Sequence, residues 1–109
     1  MAGMIYDPEK ARAYRLMREY GLTLAEYDAI LRAQGGKCAI CRKAPRQGKR
    51  LAVDHNHKTG AIRGLLCYFD NSQRLGRGNE DPEIHERLAD YLRHGAERVA
   101  EIRSALDGG

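Results

Sequence analysis

The chain has 109 residues, a net charge of +4 and a mean hydropathy of −0.65, which suit one domain with a modest core. No apolar run approaches the length of a membrane span, and the N-terminus lacks the apolar core of a signal peptide. We therefore expect a cytoplasmic protein with no membrane partner. Three cysteines, two of them in a Cys-x2-Cys pair, favour a metal site over a disulfide framework.

Positive charge is concentrated in the centre of the chain. Between Lys37 and Arg77 there are ten Lys or Arg and two acids, a local charge of +8, whereas the flanks together carry −4. A basic segment between acidic flanks favours a polyanionic partner, and nucleic acid is the partner we expect. A solvated basic loop is the alternative. The candidate DNA contacts are Arg42, Lys43, Arg46, Lys49, Arg50, Lys58, Arg63 and Arg74.

Two helices are predicted before this basic centre. The first covers residues 8–19, with Pro8 suited to its first turn. The second opens at Thr23, because Thr23 and Glu26 fit a capping box, and it ends at Gly35-Gly36. Both helices are interpreted as scaffold. The apolar faces expected to pack into the core are Ala11, Tyr14 and Met17 in the first helix and Leu24, Tyr27 and Leu31 in the second.

The segment 38–71 combines metal-ligand and catalytic residue types. Cys38 and Cys41 form a knuckle that can turn two sulfurs toward one zinc ion, although the same pair also occurs in redox proteins. Residues 51–66 predict a hairpin with its turn at 58–60, and Cys67 follows where the second strand meets a short helix, 70–76. We therefore expect one zinc site to be closed across the hairpin.

The polar residues Asp54, His55, His57 and Asn71 together suit hydrolysis of a phosphodiester. This reaction needs a base that activates water and a divalent cation that polarises the phosphate. His55 can be the base, since an imidazole is partly neutral near pH 7, and His57 could contact the phosphate or the leaving oxygen. Asp54 and Asn71 offer hard oxygen ligands for Mg²⁺. Adjacent strand residues face opposite ways, so Asp54 and His55 can serve one phosphate only where the strand ends or bends.

A long helix is predicted at 81–106, beginning at Asp81-Pro82-Glu83. Gly95 weakens its middle and predicts a bend or a break into two helices. Packing within the chain and contact in a homodimer are alternative explanations for its long apolar stripe. His85 and His94 are interpreted as surface histidines. The stripe consists of Ile84, Leu88, Tyr91, Leu92, Val99, Ile102 and Leu106.

Three segments carry a family resemblance: YGLTLAEYDAILRAQGGKCAIC, VDHNHKTGAIRGLLC and the Asn of FDN. Over about residues 20–93 the chain resembles the recombination endonuclease VII family, which are HNH, or ββα-metal, nucleases typical of phages. The resemblance implies an α+β fold, mostly α, in which a ββα-metal (HNH) finger with a structural zinc is flanked by N-terminal helices and a long C-terminal helix. It also implies the family's founding activity, the resolution of four-way (Holliday) junctions and other branched DNA by an intertwined dimer.

The resemblance assigns roles and a division of the chain. It implies His55 as general base, Asp54 and Asn71 as ligands of a catalytic Mg²⁺ or Mn²⁺, and His57 as the second histidine of the Asp-His-x-His motif. We expect residues 1–109 to form a single HNH endonuclease domain. Within it, residues 1–36 would be helical scaffold, 37–77 the zinc-fastened core and 80–106 the C-terminal helix or helices.

Two departures from the family pattern bear on this interpretation. The second zinc pair of the family is usually Cys-x2-Cys, whereas here Cys67 is followed by Asp70. We expect a zinc site of Cys38, Cys41, Cys67 and Asp70, with an incomplete site as the alternative. The chain ends at residue 109, so we also expect a larger C-terminal junction-binding or dimerisation domain to be missing. Junction resolution and general nicking therefore stand as alternatives.

The predicted function is a metal-dependent DNA endonuclease in the cytoplasm of a bacterium or phage-infected host cell. The alternative is a non-catalytic, zinc-stabilised DNA-binding module. That module would account for the cysteines and the basic loop but not for Asp54, His55 and Asn71. A Cys-x2-Cys redox protein is disfavoured, because the chain lacks a thioredoxin-like βαβ pattern.

Overall fold

The structure is a computed structural model that describes residues 6–68, 70–71 and 82–108. Its fold is α+β and mostly helical, as predicted. Within the described ranges, no helix has both the length and the apolar character needed to cross a membrane. In chain order the elements are α1 (Pro8–Tyr20), α2 (Leu24–Ala33), β1 (Ala52–His55), β2 (Ile62–Leu66) and α3 (Pro82–Gly108).

The ends of α1 and α2 follow from short-range hydrogen bonds. The Asp7 carboxylate accepts two amides of the first turn of α1, and Gly21 ends that helix in the left-handed conformation. Thr23 and Glu26 form the predicted capping box of α2, in which each side chain accepts the other residue's amide at 3.0 and 2.9 Å. The two helices therefore begin and end close to the predicted residues.

The packed face of α1 differs from the predicted one. Tyr14 and Met17 are 65% and 50% exposed, so the prediction that they pack into the core is wrong. The helix instead buries Leu16 and packs Tyr20, four residues later, against the core. The guanidinium of Arg12 stacks on a tyrosine ring of α2 at 4.5 Å and extends this stripe by one turn. Apolar spacing alone does not find a stripe that begins with an arginine.

The predicted hairpin is present as an antiparallel pair of β1 and β2. Asn56 starts the connection, where its side-chain oxygen accepts the amides of Lys58 at 2.8 Å and Thr59 at 3.2 Å. The pairing is regular up to Asp54, and the register then shifts between Asp54 and His55. The strand therefore has an irregularity between the two residues that the proposed chemistry requires on one face.

Gln34, just after α2, joins the helical part of the chain to the sheet. Its side-chain oxygen accepts the Leu65 amide at 2.9 Å, and its nitrogen donates to the carbonyls of Leu65 at 2.9 Å and Lys37 at 2.8 Å. The Ala39 amide also donates to the Leu65 carbonyl at 3.1 Å. These bonds fix the Cys38–Cys41 segment beside β2.

The C-terminal segment is one helix of 27 residues, without the break considered at Gly95. Gly95 marks a close contact instead, because a Cβ atom there would lie 2.6 Å from the carbonyl oxygen of Arg63 in β2. A glycine in this helix therefore serves packing against the sheet. The predicted start at Asp81 lies outside the described residues.

Most of the apolar stripe of α3 packs within the chain. Leu92 and Leu106 remain 46% and 42% exposed, and a dimer contact through them stays a prediction. His85 and His94 are exposed, as predicted. The stripe residues packed in or against the core are Ile84, Leu88, Tyr91, Val99 and Ile102.

Candidate functional site

Cys38, Cys41, Cys67 and Asp70 converge on one point. Their ligand atoms all lie within 4.8 Å of one another. The sulfurs of Cys41 and Cys67 are 3.9 Å apart, close to the edge of roughly 3.8 Å expected for a tetrahedron with Zn–S bonds of about 2.3 Å. Asp70 Oδ2 lies 3.0 Å from Cys38 Sγ and 3.2 Å from Cys67 Sγ. The four residues could therefore hold a metal ion, and their donors are consistent with structural zinc.

The backbone folds each half of this group around its sulfur. In the first half, the Cys38 amide donates to the Lys43 carbonyl, and the Arg42 amide donates to the Cys38 carbonyl. Arg42 has a φ of 61°, an uncommon left-handed conformation for a residue with a side chain. In the second half, the Asp70 amide donates to Cys67 Sγ at 3.4 Å. Asp70 thus stands where the second cysteine of a Cys-x2-Cys pair would stand.

Burial sets the protonation of the three thiols. It raises the pKa of Cys38 to about 11, with the Asp70 carboxylate as the next cause, and it also raises the pKa of Cys41 and of Cys67. None of the three is in a disulfide. Without a cation the group favours neutral thiols, and a bound cation would reverse this preference by stabilising thiolates.

Asp54, near the end of β1, is 4% exposed and accepts three hydrogen bonds. Arg63 donates from Nε to Oδ2 at 2.8 Å and from Nη2 to Oδ1 at 3.2 Å. The Tyr91 hydroxyl of α3 donates to Oδ2 at 2.6 Å. Burial, and then the neighbouring carboxylate, raises the pKa of Tyr91, so its hydroxyl remains a neutral donor. Two residues from different elements therefore fix this carboxylate.

His55 follows Asp54 beyond the register shift and is partly exposed. The centroid of its ring lies 4.7 Å from that of His57, which is exposed, and 5.6 Å from that of Tyr20 at the end of α1. The structure therefore brings Asp54, His55 and His57 to one end of the hairpin. Tyr20 is a neighbour of this group that the sequence did not indicate.

Asn71 lies directly after Asp70, and its amide donates to the Cys67 carbonyl at 2.9 Å. This position is at the edge of the cysteine group, and the role of Asn71 as a ligand of a catalytic cation stays a prediction. The predicted helix 70–76 lies outside the described residues beyond Asn71.

The predicted DNA contacts fall into three groups. The side chain of Arg63 is 16% exposed and is directed at Asp54 and at the carbonyl of His55, which it reaches at 3.3 Å. Arg74 lies outside the described residues. The exposed members are Arg42, Lys43, Arg46, Lys49, Arg50 and Lys58.

The partner of Asp54 that sequence reasoning missed is Tyr91. It was placed in the apolar stripe of the last helix, and the stripe does contain it, but its hydroxyl reaches a carboxylate 37 residues away in the chain. Gly95, one turn later, is a local sign that this face of α3 approaches another backbone.

A two-stranded hairpin, a Cys3Asp group and an Asp-His pair at an irregular strand end define a small α+β protein with a candidate metal centre. Residues 13–94 match the family model of recombination endonuclease VII, and the chain belongs to that family.

Two curated relatives are similar to most of the chain. The Gene 59 protein of Mycobacterium phage D29 is 49% identical over 79 residues, and that of Mycobacterium phage L5 is 46% identical over 78 residues. Each match covers 72% of this chain and 48% of the relative, so the chain spans about half the length of the curated relatives it matches. No solved structure matches the chain.

Proposed function

We propose that this protein is a metal-dependent DNA endonuclease of the HNH, or ββα-metal, type, with residues 1–109 as a single catalytic domain. The observation that carries the proposal is the register shift between Asp54 and His55 in a member of the endonuclease VII family. An undistorted strand would point these two side chains to opposite faces, and a shift between them removes that obstacle. This supports joint action of Asp54 and His55 on one phosphate.

In the proposed reaction His55 takes a proton from the attacking water, and the exposed His57 contacts the phosphate or the leaving oxygen. Asp54 and Asn71 hold a divalent cation. The donor set suits this task, since a carboxylate has about four acceptor positions, and three of those on Asp54 are filled by Arg63 and Tyr91. The remaining position is on Oδ1, a hard oxygen suited to Mg²⁺ or Mn²⁺. When bound, the cation would polarise the phosphate and stabilise the leaving oxygen.

The rest of the site binds and supports. Zn²⁺ on Cys38, Cys41, Cys67 and Asp70 would fasten the hairpin to the segment before it. The exposed basic residues between 42 and 58 would hold double-stranded DNA through its phosphates. Because the matched relatives are phage proteins, we place the activity in the cytoplasm of an infected host cell. Branched and unbranched DNA, and monomer and homodimer, are alternatives within this proposal.

A second candidate function is a zinc-stabilised DNA-binding module without catalysis. The engagement of Asp54 favours it, because a buried carboxylate that accepts three hydrogen bonds is also what a purely structural network requires. His55 separates the two candidates, since a binding module has no use for a base at this position.

The test compares His55→Ala with the wild type on supercoiled plasmid and on a synthetic four-way junction, with Mg²⁺, Mn²⁺ or EDTA. Removing a general base should slow cleavage by about 10²-fold or more. DNA affinity, measured by fluorescence anisotropy, and zinc content should both stay at the wild-type level. His94→Ala, an exposed histidine of α3, is the matched control and should cut normally.

Each outcome decides between the two candidates. Cutting that requires both a divalent cation and His55 supports the endonuclease, and the rates on the two substrates distinguish junction resolution from nicking. Wild-type cutting by His55→Ala would remove His55 as the base. Tight DNA binding without any cutting would establish the non-catalytic module.

A further inference from the structure

The hydrogen bonds on Asp54 load its two oxygens unequally, and the inference drawn from this rests on the proposed endonuclease. Oδ2 accepts both the Tyr91 hydroxyl at 2.6 Å and Arg63 Nε at 2.8 Å, which fills its two acceptor positions. Oδ1 accepts Arg63 Nη2 alone, at 3.2 Å. One acceptor position is therefore left on this buried carboxylate, and it belongs to Oδ1.

The same donors span the irregularity in β1. Arg63 Nη2 contacts Asp54 Oδ1 on one side of the register shift and the His55 carbonyl oxygen, at 3.3 Å, on the other. The guanidinium therefore ties the orientation of the Asp54 carboxylate to the backbone of the proposed base. Tyr91 holds the opposite oxygen of the carboxylate, so rotation of that group would break a bond at each end.

Two glycines allow Tyr91 to reach this position. Gly64 is the β2 residue paired with Asp54, and a Cβ atom there would lie 2.9 Å from Tyr91 Cε2 and 3.4 Å from its hydroxyl oxygen. Gly95 lies one turn after Tyr91, and a Cβ atom there would lie 2.6 Å from the Arg63 carbonyl oxygen. Both contacts bring α3 against β2 at the level of Asp54. The approach of the phenol to the carboxylate is thus supported by backbone packing on both sides.

We propose that Tyr91 is a positioning residue for the catalytic cation, which together with Arg63 fixes Asp54 so that one Oδ1 position remains for Mg²⁺ or Mn²⁺. A ligand held in one orientation loses little freedom when the cation binds, and residues that hold metal ligands in this way contribute strongly to metal affinity. Without the Tyr91 hydroxyl, Oδ2 regains an acceptor position and the carboxylate can turn.

The chain provides a matched control for this role. Tyr27 of α2 is also buried, and its hydroxyl donates a bond of the same length, 2.6 Å, to the carbonyl oxygen of Leu51. Tyr27→Phe therefore removes a comparable buried hydrogen bond that ends on the backbone rather than on Asp54. A loss of stability should be common to both variants, whereas a loss of cation affinity should belong to Tyr91→Phe.

The experiment uses the full chain with its zinc bound and titrates Mn²⁺ by electron paramagnetic resonance of the free ion. Tyr91→Phe should raise the Kd for Mn²⁺ by about tenfold or more, and raise to the same degree the Mn²⁺ concentration needed for half-maximal plasmid cleavage. Tyr27→Phe should keep the wild-type Kd. Arg63→Lys keeps the positive charge but cannot reproduce the forked contact, and it should also weaken Mn²⁺ binding.

A wild-type Mn²⁺ affinity in a folded Tyr91→Phe protein would overturn the proposal and leave the hydroxyl with a packing role. If Tyr91→Phe does not fold, Arg63→Lys carries the same test, and an unchanged Kd there overturns it equally. Failure of the proposed function is a different result, because the wild type itself would then neither bind Mn²⁺ nor cut DNA.

Discussion

Asp70 is a fully buried carboxylate and the one oxygen donor among the four candidate zinc ligands. Thiolates suit zinc better than a carboxylate, so Asp70→Cys should bind zinc more tightly and release it to a chelator more slowly. Each tenfold gain in affinity adds about 1.4 kcal/mol to the free energy of unfolding through linkage. Zinc release to a colorimetric chelator and thermal melting would measure both effects.

The same substitution at an exposed position, Asp28→Cys, adds a thiol away from the group and should leave both measurements unchanged. Asp70→Ala should have the opposite effect to Asp70→Cys, with faster zinc release and a lower melting temperature. Identical release rates for Asp70→Cys, Asp70→Ala and the wild type would show that Asp70 is not a ligand.

Single residues also show where sequence reasoning succeeds at the site. The cysteine group could be predicted, because Cys38 and Cys41 lie within one knuckle and Asp70 keeps the spacing of the missing cysteine after Cys67. The bond between Tyr91 and Asp54 could not, since it joins residues 37 positions apart and depends on how α3 packs on β2. The placement of Arg63 against Asp54 depends on the same packing, and its charge alone suggested DNA.

At the scale of elements, Gly95→Ala tests the contact between α3 and β2. Alanine in a helix interior is usually more stable than glycine by about 0.5–1 kcal/mol. Here the added methyl group would meet a backbone carbonyl oxygen of β2 at 2.6 Å, and overpacking of this kind costs about 1–3 kcal/mol. We therefore expect a net loss of stability in urea denaturation, together with weaker Mn²⁺ binding as Tyr91 moves away from Asp54.

Arg93→Ala, at an exposed position of the same helix, is the control and should change stability by less than about 0.5 kcal/mol. An increase in stability for Gly95→Ala would mean that α3 does not lie this close to β2.

The elements themselves follow from the sequence where short-range interactions decide them. The capping box of Thr23 and Glu26 starts α2, and the side chain of Asn56 organises the hairpin turn, so both could be predicted from neighbouring residues. The buried face of α1 could not be predicted in this way. It is decided by what α1 packs against, and Arg12 on the Tyr27 ring takes a place that an apolar pattern reserves for hydrophobic residues.

At the scale of the whole molecule, the end of α3 returns to the start of α2. Arg103 donates to Glu26 Oε2 at 2.8 Å and to the Gly21 carbonyl at 3.0 Å, so it joins the last helix to the turn between the first two. The Glu26 side chain is 8% exposed and that of Arg103 is 35% exposed. This shielding from water distinguishes the pair from surface ion pairs, which contribute little to stability. The pair therefore joins parts of the chain that lie 77 residues apart.

The Glu26–Arg103 pair should make stability depend on pH. Burial alone would raise the pKa of Glu26, but the hydrogen bonds from Arg103 and Thr23 lower it below its ordinary value. A carboxyl whose pKa is lowered by folding stabilises the protein above its unfolded pKa, and this contribution disappears as the pH falls through the folded pKa. Glu26→Gln keeps the capping hydrogen bond and removes the charge, so it should be less stable than the wild type at pH 7 by about 1 kcal/mol.

The difference between Glu26→Gln and the wild type should shrink as the pH falls below about 4.5, the ordinary value for Glu26. Both proteins lose zinc in acid, so urea denaturation at matched zinc concentrations from pH 7 to pH 3 reports the pair through their difference. Asp90→Asn removes an exposed carboxylate paired with Arg98 and should melt like the wild type throughout. A constant difference between Glu26→Gln and the wild type down to pH 3 would mean that the loss comes from the helix cap rather than from the ion pair that closes the molecule.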